Sequence, residues 1–229
     1  MASSSGTFSF NLSNASIAQQ AFARIQVRRP QILAEHMADA YAETNLMLQG
    51  LSNLAPNLWT VDLVSVPLVQ GTATYSVDPS IIMILDAYIS FVNSPASDRL
   101  IFPISRTEYA SYPNKQAQGT PSVFWLDRLI DPSVTLWYVP DQSGTYTLNY
   151  YACRQIQDAN FPAGEVPNVP SRWLDYMVAG LAHRMARIYA PAVEAARKAD
   201  ADEAWKIAAT ADVENVDLVL APQLENYYR

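Results

Sequence analysis

The sequence predicts an α+β protein: a helical bundle formed by both chain ends, an inserted antiparallel β-sandwich or barrel module, and an extended C-terminal arm. Three observations predict it. Residues 14–51 and 172–212 carry apolar residues at helical spacing, whereas 57–155 carry short alternating runs cut by Pro and Gly. Chain termini in a domain tend to lie close together, so helices from both ends can share one core. Residues 213–229 lose periodicity yet stay apolar and aromatic, unlike a solvated tail. The resulting division is a body of 14–56 plus 169–212, a β-module of 57–158, an N-terminal arm of 1–13 and a C-terminal docking arm of 213–229.

In the N-terminal arm Phe8, Phe10 and Leu12 alternate with polar residues, the spacing of an extended strand that shows one face to a neighbour. Ser13 or Asn14 then caps a first helix with the face Ile17, Ala18, Ala21, Phe22, Ile25. Arg28 and Arg29 suit its C-terminal end, and Pro30 suits the first turn of a second helix. That second helix presents Leu33, Met37, Tyr41, Leu48 and Leu51 and ends near Gly50 and Pro56.

From Leu58 the period changes to two. Trp59, Val61, Leu63 and then Ala73, Tyr75, Val77 read as strands on either side of a Gln70-Gly71 turn. Residues 81–92 read as a long buried strand and 99–104 as a short one. Ser105-Arg106-Thr107-Glu108 is a capping box, which predicts a short helix over 106–111. Strands over 122–130, 134–139 and 145–154 are joined by Pro-, Asp- and Gly-containing turns, which predicts a meander. A Pro-rich connector, 160–171, leads to an amphipathic helix marked by Trp173, Met177, Leu181, Met185 and Ile188. Pro191 opens or breaks the next helix, where Glu194/Lys198 and Asp202/Lys206 are i,i+4 pairs on a solvated face.

Composition narrows the function. Only 16% of the 229 residues are charged, against about 25% in an ordinary domain. There are 13 Tyr and 5 Trp, and the 15 basic residues are 12 Arg and 3 Lys. Interfaces are enriched in Tyr, Trp and Arg and depleted in Lys. A net charge of −7 argues against gripping a duplex, which needs clustered cations. The opening residues lack the basic and apolar regions of a secretory signal, and the apolar run Ile81–Leu85 is too short for a membrane span. The lone Cys153 excludes an internal disulfide and suits a reducing compartment.

No catalytic, cofactor or metal motif is present. His36 and His183 stand alone in helical patterns without HExxH or CxxC partners, and neither phosphate-cradling glycine fingerprint occurs. Asp127, Asp131 and Asp141 are the carboxylates that a glycosidase-like groove would use, but turn contexts explain Asp131 and Asp141.

Residues 102–140 (FPISRTEYASYPNKQAQGTPSVFWLDRLIDPSVTLWYVP), 148–159, 169–191 and 200–222 resemble bacteriophage head-to-tail adaptor proteins, and among them the tail tubular protein A group of short-tailed phages. The resemblance covers most of 15–229. It implies a dodecameric ring in the virion neck, assembled in the host cytoplasm, that joins the capsid portal to the tail nozzle or tail tube. It further implies an extended DNA channel through which double-stranded DNA passes without specific binding, and neither an enzyme nor a membrane protein. The C-terminal segment of such proteins reaches the portal; by location that points to Val216, Leu218, Leu220, Gln223, Leu224, Tyr227, Tyr228 and Arg229. In the β-module Trp125, Trp137, Tyr138, Tyr150 and Arg128 are candidates for inter-subunit or nozzle contacts, with alternation sending some inward. The alternative is a β-sandwich of a virion or secreted protein that binds glycans through Tyr and Trp of 123–151.

Overall fold

The computed structural model describes residues 4–54, 57–92, 97–161 and 164–213, and over these the chain is α+β, with five α-helices and one curled seven-stranded sheet. Helix α1 (Asn14–Arg24) starts where its cap residue dictates: the Ser13 hydroxyl accepts from the Ser16 N–H at 3.2 Å. Its predicted face, Ile17 to Ile25, is buried.

Pro30 does not open the second helix. It sits in a separate 3-10 turn, Arg29–Gln31, and α2 spans Ala34–Leu54. Before that helix the Leu33 N–H donates to His36 Nδ1 at 2.9 Å, so this histidine answers an open helix-start donor. The buried stripe of α2 is also rotated from expectation. Ala40, Thr44, Met47, Leu48, Leu51 and Ser52 face inward, while Leu33 and Tyr41 are exposed. The hydroxyls of Thr44 and Ser52 donate back to the carbonyls of Ala40 and Leu48, so they are buried without an unpaired donor.

Helix α3 is Arg106–Ser111, α4 is Leu174–Tyr189 and α5 is Glu194–Thr210. Trp173, Met177, Leu181 and Met185 are buried as expected; Ile188 is exposed. Gly180 lies where α2 and α4 touch, since a Cβ there would meet Met47 Sδ at 2.7 Å. Glu194 does not turn to Lys198. Its carboxylate meets His183 Nε2 at 2.8 Å and Arg187 Nε at 3.7 Å, which ties the start of α5 back to α4. The hydrogen bond with His183 holds the Glu194 carboxyl below its ordinary range.

Helices α1, α2, α4 and α5 share one apolar cluster that also takes in Ile156 and Ala159 from the connector after the last strand. At its edge Phe22, His36 and Tyr189 pack ring to ring, with His36 and Tyr189 edge-on at 4.7 Å. The Tyr189 hydroxyl donates to Asp39, and this bond pushes the tyrosine up to about 12. A raised acid favours its neutral form on folding, so the contribution is complete below about pH 10 and lost as pH rises toward 12. In an alkaline ultraviolet titration one tyrosine is expected to ionise near 12 in the folded protein. Tyr189→Phe removes that step and lowers the neutral-pH melting temperature by about 2–4 °C. A wild-type titration without the late step would contradict this.

The strands are β1 (Val61–Pro67), β2 (Thr74–Ser76), β3 (Ile81–Phe91), β4 (Arg99–Pro103), β5 (Val123–Asp127), β6 (Ser133–Trp137) and β7 (Tyr146–Arg154), in spatial order β1-β7-β3-β4-β5-β6-β2. The expected meander is half right. β5 and β6 form a hairpin, but β7 leaves them to pair antiparallel with both β1 and β3. β4 and β5 run parallel, because the long connection through α3 returns the chain in the same direction. Inside the curl Ile89, Phe124, Leu136 and Leu148 lie in a second apolar cluster, distinct from the helical one. Arg154 pins the strand ends, with Asp62 at 2.9 Å and Asp78 at 3.2 Å. Cys153 is buried and forms no disulfide, with its Sγ 3.4 Å from the Thr60 hydroxyl.

Candidate interaction surface

Strand alternation sorts the aromatic residues of the β-module. On β5, Phe124 turns into the curl and Trp125 turns out; on β6, Leu136 turns in and Trp137 out. Tyr150 is only 2% exposed and belongs to the core, where burial pushes its hydroxyl up, so it is removed from the contact set. Trp125, Trp137 and Tyr138 are brought together.

Helix α3 completes the group. The Ser105 hydroxyl accepts from the Glu108 N–H at 3.1 Å and starts the helix over the outer face of β5. Tyr109 then stacks on Trp125 with ring centroids 5.6 Å apart. Tyr112 meets Trp137 at 4.5 Å, and Trp137 stacks on Tyr138 at 3.8 Å. Tyr109 and Tyr112, 6.5 Å apart, close the gap, so five half-buried rings form one ribbon. The Trp137 indole donates to the Asn114 carbonyl at 3.0 Å. Lys115 donates to the carbonyls of Ala110 and Tyr112, closing the end of α3, with its ammonium 5.6 Å from the Tyr109 ring centre. Burial, and then Glu108, pushes the Tyr112 hydroxyl up, which keeps it a neutral donor.

Beside the ribbon lies the β5–β6 turn. Arg128 is exposed there, followed by Leu129 at 65% and Ile130 at 93% exposure. On β4 the outward Leu100 and Phe102 are exposed as well, and Phe102 faces Val123 across the ladder. A rigid aromatic ribbon with an adjoining aliphatic tip and one guanidinium has the character of interface anchors. Sequence reasoning missed Tyr109, Tyr112, Leu129 and Ile130. The capping box placed Tyr109 on a short helix, and Tyr112 follows just past its end, so their closeness in sequence was the available signal.

The remaining candidates fall elsewhere. Val216, Leu218, Leu220, Gln223, Leu224, Tyr227, Tyr228 and Arg229 lie outside the described residues. His36 and His183 both have partners in the helical cluster's surroundings, as given above. Asp141 accepts from the Tyr146 hydroxyl at 2.8 Å, a local bond from the turn to the start of β7. Among the described residues no cluster of His, Cys, Asp and Glu could hold a metal ion, and no helix is long and apolar enough to cross a membrane.

Residues 13–221 match the family model described as SU10 adaptor protein. No curated protein matches the chain.

Proposed function

The chain belongs to the SU10 adaptor protein family, and on that premise we propose that it builds a ring in the phage neck, between the capsid portal and the tail. The role of a phage structural adaptor follows from the family. The ring, its seat on the portal and its DNA channel are the finer proposal. The observation that carries it is the span of the match, which takes in the helices of both chain ends and the β-module between them.

Physical features support the same reading. A heterologous contact repeated round a closed ring covers two different surfaces on every subunit. A chain with few charges, 13 Tyr and Arg in place of Lys is suited to that. A net charge of −7 suits a channel in which DNA must slide. The ring is proposed as a dodecamer, the number that the sequence's resemblance to the tail tubular protein A group implies, with 14–56 plus 169–212 as the ring body and 57–158 as a module projecting to a neighbour or the tail nozzle. The glycan reading loses support at the ribbon: rings that stack on one another, as Trp137 does on Tyr138, spend on neighbours the faces a sugar would need.

The deciding experiment mixes the full chain with purified portal rings and follows mass and shape by light scattering and electron microscopy. A closed ring stacked on the portal is the expected result; failure with every portal at every salt concentration would end this reading. The tip of the β5–β6 turn is assigned to the tail-side contact. Leu129→Asp with Ile130→Asp is expected to weaken nozzle binding to portal-bound rings about a hundredfold. Its melting temperature should stay that of the wild type, because both side chains are exposed. Unchanged nozzle binding would move the contact elsewhere.

A further inference from the structure

Three side chains that line one apolar groove carry enclosed hydrogen-bond donors without an acceptor among the described residues. The groove, about 180 Å³ in volume, runs between the end of α2, the turn before α4 and the end of α5, and is lined by Leu51, Leu54, Asn57, Trp173, Trp205 and Ala209 among others. Among the described residues, Asn57 Nδ2, Trp173 Nε1 and Trp205 Nε1 have no hydrogen-bond partner, and each atom is closed off from solvent. Asn57 and Trp173 are only 3% and 2% exposed. Unpaired buried donors are costly and few in a folded chain, so three in the walls of one groove mark it as incompletely satisfied when empty. Asp212, the charged residue in the lining, is already paired with Arg172. The groove therefore suits an uncharged extended segment that brings aromatic side chains and main-chain carbonyls.

The chain itself carries such a segment. Residues 4–12 (SSGTFSFNL) contain no charge and lie outside helix and strand. Phe8 is 100% exposed and Phe10 is 73% exposed, so neither ring occupies the groove of its own body. The segment hangs from Asn14, whose main-chain N–H donates to the Glu165 carbonyl at 2.8 Å and whose amide donates to the Asn160 carbonyl at 2.7 Å. Ten extended residues reach roughly 33 Å from that anchor, enough to cross to a neighbour. The other chain end is a poorer match: Glu214, Asp217 and Glu225 would have to be desolvated beside an already paired aspartate.

We infer that residues 4–12 of one copy seat in this groove on a second copy, with a phenylalanine between Leu54 and the two tryptophans, and with the groove walls parting enough for main-chain carbonyls to reach the enclosed N–H groups. The inference rests on the proposed ring, because an arm-into-groove contact is heterologous and is completed for every subunit only when the ring closes.

Two full-length single-site variants, Phe10→Cys and Leu54→Cys, test it when mixed in equal amounts and oxidised on portal rings. Both positions are exposed and native Cys153 is buried, so folding and background coupling are controlled. A disulfide between the two variants is expected, and adding Phe8→Ala to the first should cut its yield at least tenfold. Rings that form on the portal without this disulfide would overturn the inference and leave the ring standing. A double variant that couples only within one chain would overturn it too, in favour of self-occupation. If no portal supports a ring, a synthetic peptide of residues 4–12 added to the full chain decides the contact by itself. A saturable change in tryptophan fluorescence, absent with both phenylalanines replaced by alanine, upholds the arm and groove; no change overturns them.

Discussion

Deleting residues 214–229 is expected to abolish recruitment of the chain to portal rings while leaving its melting temperature within about 1 °C of the full chain. The deleted segment holds the proposed portal-docking residues Val216, Leu218, Leu220, Leu224, Tyr227 and Tyr228. Burying one such side chain contributes about 1.5–3 kcal/mol, and each 1.4 kcal/mol is tenfold in affinity. Losing several at once lowers portal affinity by at least about a thousandfold. The cut removes none of the described helices and strands, so the thermal transition should not move. Cosedimentation with portal rings measures the first quantity and calorimetry the second. Undiminished recruitment would show that the portal is held elsewhere. A large fall in melting temperature would instead make the segment part of the body.

What could be read in advance depended on how local the cause was. The Ser13 cap, the Ser105 cap and the stripe from Trp173 to Met185 are each written within a few residues and stand in the structure, although Glu108 does not return the second bond of a capping box. The α2 stripe misled because Thr44 and Ser52 satisfy themselves on their own helix, which lets polar residues replace Leu33 and Tyr41 in the core. Strand existence was legible from alternation; strand order was not. Nothing within 145–154 says that it leaves β6 to lie between β1 and β3, a choice made by burial of Leu148 and Tyr150 in the curl. Alternation likewise separates Tyr150 from Tyr151 without saying which faces the core. The aromatic ribbon depends on α3 folding over β5, and the orphaned donors depend on where Asn57, Trp173 and Trp205 meet. The meeting of the donors has no sequence signature, and for the ribbon the sequence offers only the closeness of Tyr109 and Tyr112.

Phe22→Ala tests whether the helices and the β-module are energetically one unit. Phe22 is fully buried in the helical cluster and leans on the rings of His36 and Tyr189. Truncating a buried phenylalanine costs about 3–5 kcal/mol, a large part of a typical domain's stability of about 5–15 kcal/mol. That loss corresponds to a melting temperature lower by about 6–20 °C in a chain of this size. The two apolar clusters are distinct, which by itself would permit separate melting. The crossings between them argue otherwise. Trp59 packs on Trp173 at 5.3 Å before the chain enters β1. On the way out, Ile156 and Ala159 enter the helical cluster, and their N–H groups donate to the Ser52 hydroxyl at 3.1 Å and the Asn45 side-chain carbonyl at 2.8 Å. Loosening the helices therefore unseats both ends of the β-module. Calorimetry of the variant is expected to show one transition, displaced as a whole, with tryptophan fluorescence and far-ultraviolet dichroism falling together. A second transition left at the wild-type temperature would mean that residues 57–158 stand as an independent module, joined to the ring body without sharing its stability.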